Sequence, residues 1–164
     1  MDELAPLPLT PEALYQQNLD LLVRVKDPSF ATQVNQIPLI NLQLAPSASG
    51  ALAGASFDTI SQQWVPLCNM QDPVAEAITD ADRFYEPKAK VFILFGMGLG
   101  YFAREMALRL QPYQRLAIFE TSPILYRAAM HAIDIGPLVE GHRIDTFIGD
   151  GLSPHLEQWF LTFE

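Results

Sequence analysis

The chain has a single cysteine, Cys68, among its 164 residues. One copy can close no disulfide and assemble no thiolate metal site, which suits a reducing compartment. Histidine is nearly as scarce. His131, His142 and His155 are spaced far apart, and none has another metal-ligating side chain at close spacing, so no metal site is expected. Basic residues are few: ten Lys and Arg stand against nineteen Asp and Glu, for a net charge of −9. Such a surface repels phosphate backbones, and no basic stripe interleaved with aromatics offsets it, so nucleic acid is an unsuitable partner. No apolar run is long enough to cross a bilayer, and the first residues lack the basic and apolar regions of a signal peptide. These absences point to a soluble cytoplasmic domain with no membrane partner.

Apolar residues make up 49% of the chain and charged ones 18%, so a sizeable core is expected. A chain of this length should bury roughly 70% of its unfolded surface, as one domain with a small appendage. The pattern divides near residue 70. In the first part, Thr10 and Pro11 read as an N-cap and first-turn proline of a helix over 11–26, with Leu14, Leu21, Leu22 and Val25 on its inner face. Asp27 and Pro28 read as its end. Ile40, Leu42 and Leu44 alternate with polar residues as a half-buried strand, residues 46–54 read as loop, and a second short strand near 57–60 would complete a hairpin. Residues 1–70 are thus expected to be a helix plus a β-hairpin.

From Asp72 and Pro73, which open a helix to about Tyr85, the pattern changes. Strands over 91–95, 115–119 and 143–148 alternate with helices over 99–110, 122–133 and from about Ser153. The first two strands are apolar on both faces. This is the mark of right-handed βαβ crossovers and a parallel sheet covered on each side. The expected fold is α/β: a Rossmann-like, methyltransferase-like βαβαβ half over 71–164, preceded by a small α+β segment. Only three parallel strands can be placed, fewer than a full doubly wound domain has. The last residues carry an apolar helical pattern to Glu164, which suggests part of a longer protein, cut at its C-terminus.

The most informative stretch joins the first parallel strand to its helix. Gly96, Gly98 and Gly100 follow the apolar run at alternate positions. Glycines here permit a tight turn and let a ligand approach the backbone. A dinucleotide fingerprint wants glycine at position 101, where Tyr101 stands, which counts against NAD and FAD. The looser loop of S-adenosylmethionine (SAM) methyltransferases remains, and so does a purely structural use of the glycines. Glu120 ends the second strand, where an acid commonly takes ribose hydroxyls, and Asp150 follows the third, where one can reach an adenine amino group. All five residues lie at the carboxyl edge of the sheet. Against a methyltransferase, the position before the loop that usually holds an acid is apolar, Leu94 or Phe95. Cys68 and Ser122 read as a buried thiol and an N-cap. Arg104, Arg109, Arg115 and Arg127 read as scattered and solvated. No catalytic constellation emerges.

Residues 66–150 resemble the N-terminal region of the motility accessory factor (Maf) family, bacterial proteins associated with flagellin glycosylation. The resemblance rests on Asp72, Pro73, Glu76 and Ala77, on the run from Phe92 to Tyr101, on Ile118 to Glu120, on Ile124 and Leu125, and on Arg143 to Asp150. It implies a Rossmann-like leading segment whose transferase portion lies in a missing downstream catalytic domain. Flagellin is the implied acceptor. Three readings follow: a non-catalytic accessory module of a Maf-type glycosyltransferase, a SAM-dependent methyltransferase, or a scaffold with no ligand. SAM and nucleotide sugars are the cofactors to weigh, and a homo-oligomer is a further possibility.

Overall fold

The computed structural model describes residues 9–149 and 152–161. In chain order the elements are α1 (Pro11–Val25), α2 (Pro28–Gln36), β1 (Leu42–Pro46), β2 (Leu52–Asp58), β3 (Gln63–Pro66), α3 (Pro73–Phe84), β4 (Val91–Phe95), α4 (Tyr101–Arg109), β5 (Arg115–Glu120), α5 (Pro123–Ala132), α6 (Gly136–Val139), β6 (Ile144–Ile148) and α7 (Leu152–Leu161). The fold is mixed α/β. A three-stranded antiparallel sheet, β1-β2-β3, accompanies a three-stranded parallel sheet, β4-β5-β6. Among the described residues no helix is long and apolar enough to cross a membrane.

The N-terminal part departs from expectation in three places. First, Asp27 and Pro28 end α1 but also open α2, because the Asp27 carboxylate accepts from Ser29 N–H and proline takes the first helical position. Second, the inner face of α1 is Tyr15, Asn18, Leu19 and Leu22, with Leu21 beside them, whereas Val25 is exposed. Third, the hairpin is a three-stranded sheet. Its middle strand begins at Leu52, inside the stretch expected to be loop. Ala53, Gly54 and Ala55 look like loop residues because they are small, but close packing demands small side chains there. A Cβ at Gly54 would lie 2.7 Å from Leu44 Cδ2. β3 was not legible at all: it is four exposed residues long.

In the parallel sheet, Val91–Phe95 pairs with Arg115–Phe119, and Leu116–Glu120 with Ile144–Ile148. Alternation splits the side chains between two faces. Phe92, Leu94, Leu116, Ile118, Ile144 and Ile148 point into the main core, which α1, α4 and α5 also line. Val91, Ala117, Phe119 and Phe147 point the other way, against Leu156 and Trp159 of α7. Phe95, Phe119 and Phe147 stack across the three strands on that second face.

Two buried amides tie connections to this frame. Asn18 donates to the carbonyls of Met130 and Ile133, both at 2.8 Å, and accepts from Ile135 N–H, so α1 is bolted to the end of α5. Gln114 donates to the carbonyl of Ala89 at 2.8 Å and accepts from Gln111 N–H and the Tyr85 hydroxyl, closing the loops before β4 and β5. Both side chains are fully buried and bonded, as buried amides must be.

Candidate functional site

The glycine loop runs from Gly96 to Gly100, between β4 and α4. All three glycines have positive φ, from 55° to 84°, a region costly for side chains. Gly100 is the N-cap of α4, which has no side-chain cap. At the far end of β5, Glu120 is almost fully buried. One of its oxygens accepts from Met97 N–H at 2.7 Å and the other from Ser122 N–H at 2.8 Å. The acid expected at a ribose therefore holds two backbone amides, one of them inside the glycine loop. Ser122 is the N-cap of α5, accepting from Leu125 N–H.

The outer side of the loop is packed against protein. A Cβ on Gly98 would come within 3.3 Å of the Leu67 carbonyl, and one on Gly100 within 2.6 Å of Ile133 Cδ1. Leu99 is buried and lies beside Gly54 of β2. Tyr101, the first residue of α4, donates its hydroxyl to the Leu52 carbonyl at 2.7 Å. Burial, together with the nearby Cys68, pushes this phenol up to about 12. The antiparallel sheet and the segment after it thus sit on the loop. Of the three loop glycines, only Gly96 is exposed with open space around its Cβ position.

Two cavities lie beside the loop and the residue that follows it: one of about 210 Å³ lined by Tyr101, Arg104, Ile133 and Asp134 among others, and one of about 70 Å³ lined by Cys68, Glu76, Asp80, Gly100, Tyr101 and Phe102 among others. Nucleotide-sized ligands occupy pockets of about 300–1,000 Å³, and two carboxylates on the wall of the smaller disfavour a phosphate. Glu76 accepts from Asn69 N–H. Burial raises the Cys68 thiol above its ordinary value, opposed by a hydrogen bond from Gly54 N–H, and Glu76 raises it further. A thiol kept protonated is no nucleophile.

A larger space, about 350 Å³, lies along the free edge of β4 between Phe84, Phe92, Leu94, Phe102, Met106 and Leu116. Its lining is apolar and supplies no acid, base or anion-binding group. Of Leu94 and Phe95, the two apolar residues where a methyltransferase would carry its acid, Leu94 is half-buried and Phe95 is 68% exposed. The structure brings Gly96, Gly98, Gly100 and Glu120 together in one hydrogen-bonded unit. Asp150 lies outside the described residues.

The arginines are held more closely than their scatter in the sequence suggests. Arg109 bridges Asp82 and Glu105, both at 2.7 Å, and Arg115 pairs with Asp145. Arg127 donates to the Ile37 carbonyl and lies over the Tyr15 ring, which stacks on His131 at 4.1 Å. Arg109, Arg115 and Arg127 join helices and strands, and Arg104 pairs with Glu105 at 3.2 Å on the wall of the 210 Å³ cavity. Among the described residues, no three His, Cys, Asp or Glu side chains converge to hold a metal ion.

No protein-family model matches the sequence, and no curated protein is significantly similar to it. Among solved structures, the chain is similar to the Maf glycosyltransferase from Magnetospirillum magneticum AMB-1, with a TM-score of 0.65 at 12% identity over 91% of this chain. The cofactor-bound Rv0187 from MTB aligns over 54% of this chain and 48% of its own, at 16% identity and a TM-score of 0.33, below the level of a shared fold. The chain spans 29% of the length of the Magnetospirillum protein. What this chain shares with that glycosyltransferase is the fold of one part of it.

Proposed function

We propose that this chain is a non-catalytic, Rossmann-like module of a Maf-type protein implicated in flagellin glycosylation and motility. It works in the bacterial cytoplasm, beside a catalytic domain carried by the rest of a longer polypeptide, and it positions that domain or the flagellin acceptor. The observation that carries this reading is the occupation of the glycine loop by the protein's own groups. Glu120 holds its amide from within, and the Leu67 carbonyl and Ile133 fill the space outside Gly98 and Gly100. A loop so engaged serves packing, and the fold likeness to part of a Maf glycosyltransferase supplies the context.

Gly96 keeps a second reading alive. It is exposed at the carboxyl end of the sheet, where SAM would lie in a methyltransferase. Calorimetric titration with SAM and with nucleotide sugars separates the two readings. No binding up to millimolar ligand is the expected result. A micromolar constant for SAM that disappears in Glu120→Ala would establish the methyltransferase reading instead. The glycosylation role is read from flagellin mass in cells lacking residues 71–164 of this protein, where loss of the glycan is expected and unchanged flagellin overturns it.

A further inference from the structure

We infer that the cavity of about 210 Å³ between α3, the first turns of α4 and the end of α5 binds a free aliphatic α-amino acid. The ligand's carboxylate pairs with Arg104 and its ammonium with Asp134, while its side chain lies on an apolar floor. The site does not depend on the reading of this chain as a module of a larger protein.

Two opposite charges line this cavity without meeting. Arg104 of α4 and Asp134, just past α5, both stand on its wall, yet among the described residues they form no ion pair with each other. Arg104 is held through Nη1 alone, which donates to Glu105 Oε1 at 3.2 Å. Glu105 is already shared: its other oxygen accepts from Arg109 at 2.7 Å. Nε and Nη2 of Arg104 thus have no partner among the described residues. Asp134 accepts from Gly136 N–H through Oδ1 at 2.8 Å and has no such partner for Oδ2. Both side chains belong to half-buried residues. Charges taken partly out of water lose hydration that an ionic partner restores.

The rest of the lining is carbon. Val74 and Ala77 of α3, Ala132 and Ile133 at the end of α5, and the ring of Tyr101 supply it. The Tyr101 hydroxyl adds no free polar group, because it is committed to the Leu52 carbonyl. The space holds about seven waters at ~30 Å³ each, the bulk of a small aliphatic amino acid. It falls short of the roughly 300 Å³ at which sites for larger ligands begin.

These features choose among ligand classes. A simple carboxylate would leave Asp134 unmet, and a simple amine would leave Arg104 unmet. A phosphate would meet Arg104 but face the carboxylates of Glu105 and Asp134. A neutral sugar answers neither charge. A peptide C-terminus offers the carboxylate, but with a neutral amide where the ammonium should be. A zwitterion with an aliphatic side chain answers all three parts of the wall, with a charge-assisted hydrogen bond at each end and apolar burial between.

Calorimetric titration of the protein with L-valine, L-leucine and L-isoleucine tests the assignment. At least one should bind with a submillimolar constant. The N-acetyl and amide forms of the best binder, which lack one charge each, should bind at least about tenfold more weakly. Arg104→Gln and Asp134→Asn should weaken the free amino acid by about the same factor. Asp134→Asn keeps a carbonyl for Gly136 N–H, so its melting temperature should hold. The blocked ligands need no substitution, so they decide the matter even where a variant melts early. No binding by any of the three amino acids at millimolar concentration overturns the inference, as does binding that survives both substitutions. An N-acetyl form that binds as tightly as the free amino acid gives the cavity to a peptide C-terminus and overturns it as well.

Discussion

The carboxylate of Glu120 and the backbone N–H of Met97 meet at 2.7 Å across 23 residues of sequence. This bond ties the end of the middle strand into the turn that follows its neighbour. With the Ser122 N–H on its other oxygen, Glu120 serves as a clasp between two loops at the carboxyl edge of the sheet.

Removing the clasp should be costly. Glu120→Ala leaves a buried N–H in the loop without its partner, and we expect a loss of about 2–4 kcal/mol. Glu120→Gln keeps one carbonyl acceptor but brings an NH₂ towards one of the two amide donors, so it should recover only part of that loss. Urea unfolding of both variants measures the difference. A near-neutral Glu120→Ala would show that the carboxylate is free for other work.

The three glycines should rank by what surrounds them. Gly96→Ala meets open space and carries only the positive-φ penalty, about 1 kcal/mol. Gly98→Val adds a branched side chain against the Leu67 carbonyl, and Gly100→Ala drives its Cβ into Ile133, so each should cost about 2–4 kcal/mol. Melting temperatures give the order. If Gly98→Val melts with the parent protein, the turn is not built as described.

Asn18 predicts an unusual ranking. Asn18→Ala removes three bonds between α1 and the end of α5 and should cost about 2–4 kcal/mol. Asn18→Asp is closer in shape yet should be worse. It points a carboxylate oxygen at the two carbonyls that Asn18 now satisfies. Denaturant midpoints for the pair test this, and a milder Asp variant contradicts it.

His131 predicts a pH dependence. Burial, reinforced by the nearby Arg127, holds its pKa below the ordinary 6.5, against the opposing pull of Glu12. The folded protein therefore keeps His131 neutral at pH values where the unfolded chain takes up a proton. Its contribution is complete above 6.5 and is lost as pH falls from there towards the lowered folded value. His131→Phe preserves the stack on Tyr15 and should flatten the stability profile in that window. An identical slope in the variant assigns the dependence to other groups.

The parallel half was legible because its signals are strong: apolar strands, alternating helices and glycines at fixed spacing. The N-terminal half was less so, for physical reasons. Asp27 and Pro28 carry the same cap-and-proline signature as Thr10 and Pro11, and one signature both stopped α1 and started α2. Gln63–Pro66 pairs through its backbone while its side chains stay exposed, so it leaves no burial pattern to read. At the site, the position of Glu120 could be read from sequence but its partners could not. They are the backbone amides of Met97 and Ser122, and nothing in the residue types announces them.

Gln114 and Glu120 bracket β5, one just before its first residue and the other its last. Each is a buried polar group whose bonds reach out of the strand to a different connection. Sliding β5 by one residue against its neighbours would orphan both at once, besides turning every core side chain to the wrong face. The middle strand is therefore keyed at two ends, like a shaft held by a pin at each bearing. β4 and β6 take their alignment from it.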